Sequence, residues 1–209
     1  MSGTRIEQED ARRLERCLAG GGVAVLPTDT VYGICCDAED EQAARRLYAL
    51  KGRPAARPAA VMFFAIEPAL ETLSELRDAE REALAALLPG ALTLLLANPA
   101  GRFAPACRTD PATLGLRVPR LPEHLRALCS LSRPVMQSSA NLSGEPDART
   151  LAEVPRRMLD GVDVALDGGE LPGRPSTVVD LRDYAQDGRW HVLREGALSS
   201  AAVGEMLAS

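Results

Sequence analysis

The chain has 209 residues, of which 46% are apolar and 25% charged, and its formal net charge is −5. A chain of that length buries roughly 70% of its unfolded surface on folding, so the composition points to one globular domain over residues 1–209 and excludes a disordered or fibrous protein. The acidic balance argues against a generally basic nucleic-acid surface, and no apolar run reaches the ~18 residues that span a bilayer, so a cytoplasmic protein with no membrane partner is expected.

Thr4 and Glu7 have capping-box spacing, and Ala11, Leu14 and Leu18 recur at helical intervals until Gly20, Gly21 and Gly22 stop the helix. Val23 to Leu26 is a continuous apolar run closed by Pro27, the mark of a buried strand whose end delivers Thr28, Asp29 and Thr30. A second helix from Asp40 carries Ala43, Ala44, Leu47 and Leu50 on one face, and Gly52 supplies the left-handed residue that ends it. Lys51 and Arg53 straddle that terminus, where two cations complement the helix dipole by about 0.3–1 kcal/mol.

Apolar runs at 61–65, 92–97, 114–118 and 135–136 predict strands, with helical patterns at 79–88 and 122–131 between some of them. A helix over 150–158, strands at 162–166, 177–181 and 190–193, and a last helix from Ser199 follow. The alternation predicts an α/β protein.

The segment 168–176 superficially resembles a phosphate loop. Arg174 and Pro175 occupy its lysine and hydroxyl positions, however, and a β-branched run follows where a helix should begin, so a turn entering a strand is expected. Cys17, Cys35, Cys36, Cys107 and Cys129 are odd in number and contain no C-x-x-C, which predicts buried or half-buried thiols without disulfides or zinc. His124 and His191 fit no metal or triad spacing, and no protein metal site is expected.

The cations say more than the charge. Of 24 Lys plus Arg residues, 23 are Arg and only Lys51 is Lys. Lysine offers a compact ammonium where arginine offers a planar fork, so a site shaped around a point charge resists the exchange, and Lys51 is a candidate functional residue before any motif is considered.

The segments 27–33 (PTDTVYG), 51–54 (KGRP), 115–119 (GLRVP), 139–144 (SANLSG) and 176–180 (STVVD), followed by Arg194, occur in an order that resembles the YrdC-like family over nearly the whole chain. The K-x-R and S-x-N pairs are the most distinctive part. The resemblance implies a single YrdC-like domain, a twisted mixed β-sheet with flanking helices and a concave ligand cavity. It also implies threonylcarbamoyl-AMP synthase activity, which condenses L-threonine, bicarbonate or CO2, and ATP into threonylcarbamoyl-AMP and pyrophosphate for the t6A modification of tRNA.

Carried over by position, Lys51 and Arg53 would act catalytically on the triphosphate. Arg57, Thr113, Ser139, Asn141 and Arg194 would hold ATP with them. Arg117 would clamp the threonine carboxylate, in a pocket completed by Thr28, Thr30 and Ser176. Mg2+ would accompany ATP, and the expected partners are a downstream threonylcarbamoyl transferase complex and tRNA. With no nucleophile beside a recognisable base, attack of one substrate on another is expected rather than a covalent enzyme intermediate. The chain ends shortly after Arg194, so the extra C-terminal domain of longer members is not expected, and any closing element must come from these residues or a partner. The alternative is a YciO-like paralogue, which Arg194-Glu195-Gly196 resembles; it would bind RNA or a nucleotide without making the adenylate.

Overall fold

The computed structural model describes residues 4–52 and 58–208. Helix α1 (Gln8–Ala19) buries Ala11, Leu14 and Leu18, the spacing read from the sequence. Its start differs from the expectation. Glu7, not Thr4, is the N-cap, and the Asp10 carboxylate accepts a hydrogen bond from the Glu7 N–H at 2.9 Å. An acid serves at that position because both the free N–H groups and the helix dipole favour negative charge there.

Strands β1 (Val23–Leu26) and β2 (Gly33–Asp37) form an antiparallel pair, and α2 (Glu41–Lys51) follows. Asp40 caps α2 by accepting from the Gln42 and Ala43 N–H groups, and Gly52 closes it in the left-handed region. Next come β3 (Ala60–Met62), α3 (Ile66–Thr72), α4 (Asp78–Leu87), β4 (Leu92–Ala97), α5 (Ala104–Cys107), β5 (Thr113–Arg117) and β6 (Val135–Ser139). The chain finishes with α6 (Arg156–Leu159), β7 (Val164–Ala165), β8 (Thr177–Asp180), α7 (Tyr184–Asp187), β9 (His191–Arg194) and α8 (Ser200–Leu207), which Ser199 caps as expected.

Two helical readings are corrected. The segment at 122–131 is a 3-10 helix over Glu123–Ser130, and the segment at 150–158 is a 3-10 turn, Leu151–Glu153, separated from α6 by Pro155. Proline has no N–H to donate to the preceding turn and disfavours helical geometry in the residue before it, so a continuous helix breaks there.

Among the described residues the strands form one mixed sheet in the order β7-β1-β2-β6-β3-β5-β4-β8-β9, with β3 parallel to β5 and β4 parallel to β8. Alternation along the central strands separates its two faces. Val61, Leu94, Leu96, Leu116, Met136 and Val179 are buried on one. On the other, Gln137, Ala60, Gly115, Leu95 and Asp180 lie side by side across five strands, and the small side chains at 60 and 115 leave that face half open. No helix among the described residues is long and apolar enough to cross a membrane.

Cys35, Cys36 and Cys107 are buried and Cys17 half-buried, but Cys129 is exposed, against the expectation for it. Burial pushes the Cys36 thiol up to about 12, so it stays protonated and inert at neutral pH.

Candidate active site

The open face carries a cavity of about 210 Å³ whose wall includes Ala60, Thr93, Arg117, Ser139, Ser176 and Arg194, with Asp147 reaching it from the loop after β6. The strand ends converge because β6 runs antiparallel to both β2 and β3, which brings Ser139 opposite Gly33 and Gln137 opposite Ala60. Four expected site residues, Arg117, Ser139, Ser176 and Arg194, thus meet in one space from four parts of the sequence.

Arg117 is the most constrained of them. Its Nη2 donates to Asp29 Oδ1 at 3.0 Å and Thr30 Oγ1 at 3.2 Å, and its Nη1 to Gln137 Oε1 at 3.1 Å. Both members of the Arg117–Asp29 ion pair are almost fully buried. Burial pulls the guanidinium below its usual range and pushes the Asp29 carboxyl above the usual carboxylate range. Each charge opposes the other's shift, and the Arg120 N–H adds to the support of Asp29. Arg117 Nε is buried and has no hydrogen-bond partner among the described residues, on a side chain already fixed in place.

Thr28 and Thr30 stand behind Arg117 rather than on the cavity wall. Thr28 Oγ1 donates to Val31 O at 2.7 Å and lies 3.0 Å from Thr30 Oγ1, so the two hydroxyls build the turn that holds Asp29. Thr28 borders instead a separate pocket of about 650 Å³ on the far side of that turn, with Asp29, Arg120 and His124.

Lys51 is 3% exposed, and its ammonium turns to the loop beyond β6. Nζ donates to Ser139 O, to Asn141 O at 2.9 Å and to Asn141 Oδ1 at 3.2 Å. Ser139 Oγ in turn donates to Asn141 Oδ1 at 2.6 Å, and Asn141 Nδ2 donates to Glu145 O. The structure therefore joins Lys51, Ser139 and Asn141, with only Ser139 of the three on the cavity wall. Arg53 and Arg57 lie outside the described residues.

On the opposite flank, Ser176 Oγ is 2.8 Å from Thr93 Oγ1, and Arg194 Nη2 donates to Ser176 O at 2.9 Å. Thr113 starts the strand that Arg117 ends, and its hydroxyl accepts from Arg182 Nη1 at 3.3 Å, so it sits beyond the cavity on the open face.

The Sua5/YciO/YrdC family model, described as "Telomere recombination", matches residues 16–196. The chain belongs to this family. A threonylcarbamoyl-AMP synthase from Chromohalobacter salexigens is 36% identical over 181 residues, covering 84% of this chain and 96% of that protein. Another from Pyrococcus abyssi is 34% identical over 183 residues, covering 86% of this chain, and the chain spans only 53% of that longer relative. Among solved structures, P. abyssi Sua5 complexed with L-threonine matches with a TM-score of 0.83 at 30% identity, covering 97% of this chain and 58% of that one. E. coli YciO matches with a TM-score of 0.79 at 27% identity, covering 94% of each.

Within the Sua5/YciO/YrdC fold seen here, sequence reasoning missed Gln137, Thr93, Asp147 and the partnership of Asp29 with Arg117. Gln137 had a readable signal, since it stands two residues before Ser139 on a strand and must share its face. The other contacts join residues distant in sequence, which no local pattern reveals.

Proposed function

We infer that this protein is a threonylcarbamoyl-AMP synthase acting in the cytoplasm on L-threonine, bicarbonate or CO2, and ATP. The observation that carries the reading is the cavity itself, in which Arg117, Ser139, Ser176 and Arg194 meet at the strand ends of a fold similar to Sua5 with L-threonine.

The reaction needs a threonine amine to capture CO2 and the resulting carbamate oxygen to attack the α-phosphorus of ATP, expelling pyrophosphate. Its barrier lies in bringing anions together and neutralising their charge. Arg117, locked by Asp29, Thr30 and Gln137 on the cavity wall, is held in place to attract the amino-acid carboxylate. Ser139 and Arg194 face the same space and serve the nucleotide. Among the described residues no cluster of three or more carboxylate, histidine or cysteine side chains could hold a metal alone. Mg2+ would therefore arrive on the triphosphate and supply charge neutralisation there. The product would pass to a threonylcarbamoyl transferase complex acting on tRNA.

The similarity to E. coli YciO over 94% of each chain favours a second reading, a nucleotide- or RNA-binding paralogue without synthase activity. Incubation with ATP, bicarbonate, Mg2+ and L-threonine separates the two. Threonine-dependent pyrophosphate release is expected, and ATP binding without it would establish the paralogue.

A further inference from the structure

Asp147 is the only carboxylate on the cavity wall among the described residues, where the other charged groups are Arg117 and Arg194. Among the described residues it makes no hydrogen bond or ion pair there, although many other acids of this protein are engaged with arginines. Its loop is nonetheless fixed on both sides. Glu145 O accepts from Asn141 Nδ2, and Ala148, itself buried, accepts from the Tyr32 N–H at 3.0 Å. Asp147 lies between these anchors, so a held backbone keeps it on the cavity wall.

With Arg194 given to the nucleotide, Arg117 and Asp147 leave one cation and one anion facing a small space, which matches a zwitterion. An α-amino acid presents a carboxylate and an ammonium a few bonds apart, and a charge-assisted hydrogen bond to each fixes its orientation. We propose that Asp147 is the specificity-determining residue that receives the α-ammonium of the amino-acid substrate while Arg117 faces its carboxylate. This deepens the synthase reading and rests on it. It makes Asp147 responsible for rejecting acids that lack the amine, because their hydroxyl offers no positive charge to its carboxylate.

The test is isothermal titration of the whole chain, in the presence of a non-reactive ATP analogue, with L-threonine and with its α-hydroxy counterpart. The wild type is expected to prefer threonine by about tenfold to a hundredfold, the span of one charged hydrogen bond. Asp147→Asn should level the two ligands while affinity for the ATP analogue stays unchanged, and Asp147→Glu, which keeps the charge, should retain a preference. An Asp147→Asn protein that still prefers threonine overturns the proposal. So does one that keeps the preference but needs more Mg2+, since the carboxylate would then be a metal ligand. A wild type that binds neither ligand overturns the synthase reading and this proposal with it, whereas a wild type that makes threonylcarbamoyl-AMP beside an unaffected variant overturns this proposal alone.

Discussion

An ammonium carries its protons in a tetrahedral fan, and Lys51 directs them to oxygens of Ser139 and Asn141. A guanidinium is longer and planar and cannot converge on the same three points, which gives a physical reason why one lysine persists beside 23 arginines. Lys51→Arg should therefore misplace the Ser139–Asn141 segment and reduce threonine-dependent pyrophosphate release about a hundredfold, the order expected of an ångström-scale misplacement, with the fold intact. Turnover near that of the wild type would show that the fit is not required. Tyr32 is a second decisive side chain. Its hydroxyl donates to Gly169 O at 2.8 Å and accepts from the Gly168 N–H at 3.0 Å, and burial, the main cause, pushes its pKa from 10.0 up to about 12. A pKa raised in the folded state gives stability that is complete below pH 10 and lost as the pH climbs towards 12. Tyr32→Phe should remove the late phenolate step from an ultraviolet pH titration. By leaving the Gly168 N–H without its acceptor it should also cost about 1–3 kcal/mol at neutral pH, measured by denaturant unfolding.

At the level of elements, the Ser176–Arg194 flank depends on close backbone approach. A Cβ at Gly196 would lie 2.1 Å from Pro175 O and 2.7 Å from Ser176 O, and the Gly196 N–H donates to Thr177 Oγ1 at 2.9 Å. Gly196→Ala is expected to lower stability by about 1–3 kcal/mol through overpacking and to raise the KM for ATP by shifting Arg194 away from Ser176; a thermal melt and steady-state kinetics check the two effects. The same scale shows what sequence could and could not disclose. β1, α2 with its Asp40 and Gly52 caps, and β4 were legible because apolar runs and capping residues act locally. β2 was not: Gly-Ile-Cys-Cys-Asp is buried without alternation and is a strand because β1 and β6 pair with it on either side. The site divides in the same way. Lys51, Ser139 and Asn141 were named from motifs, and the structure joins them, whereas the burial of Thr28 and Thr30 behind Arg117 follows from the Asp29 ion pair, a contact across 88 positions.

For the molecule as a whole, the mixed sheet packs one face into the core and leaves the other to line the cavity, so the strand order places the chemistry. The net charge of −5 assigns the cationic character of the site to a few placed residues rather than to a basic surface. On the synthase reading, anionic substrates would be gathered inside the cavity, by Arg117 with its fixed partners and by Arg194. The measurement that tests this account most directly is mass spectrometry of the products formed from ATP, L-threonine, Mg2+ and carbon-13 bicarbonate. The account predicts threonylcarbamoyl-AMP carrying the heavy carbon, formed only when threonine is present. Bound or hydrolysed ATP with no labelled adduct would contradict it.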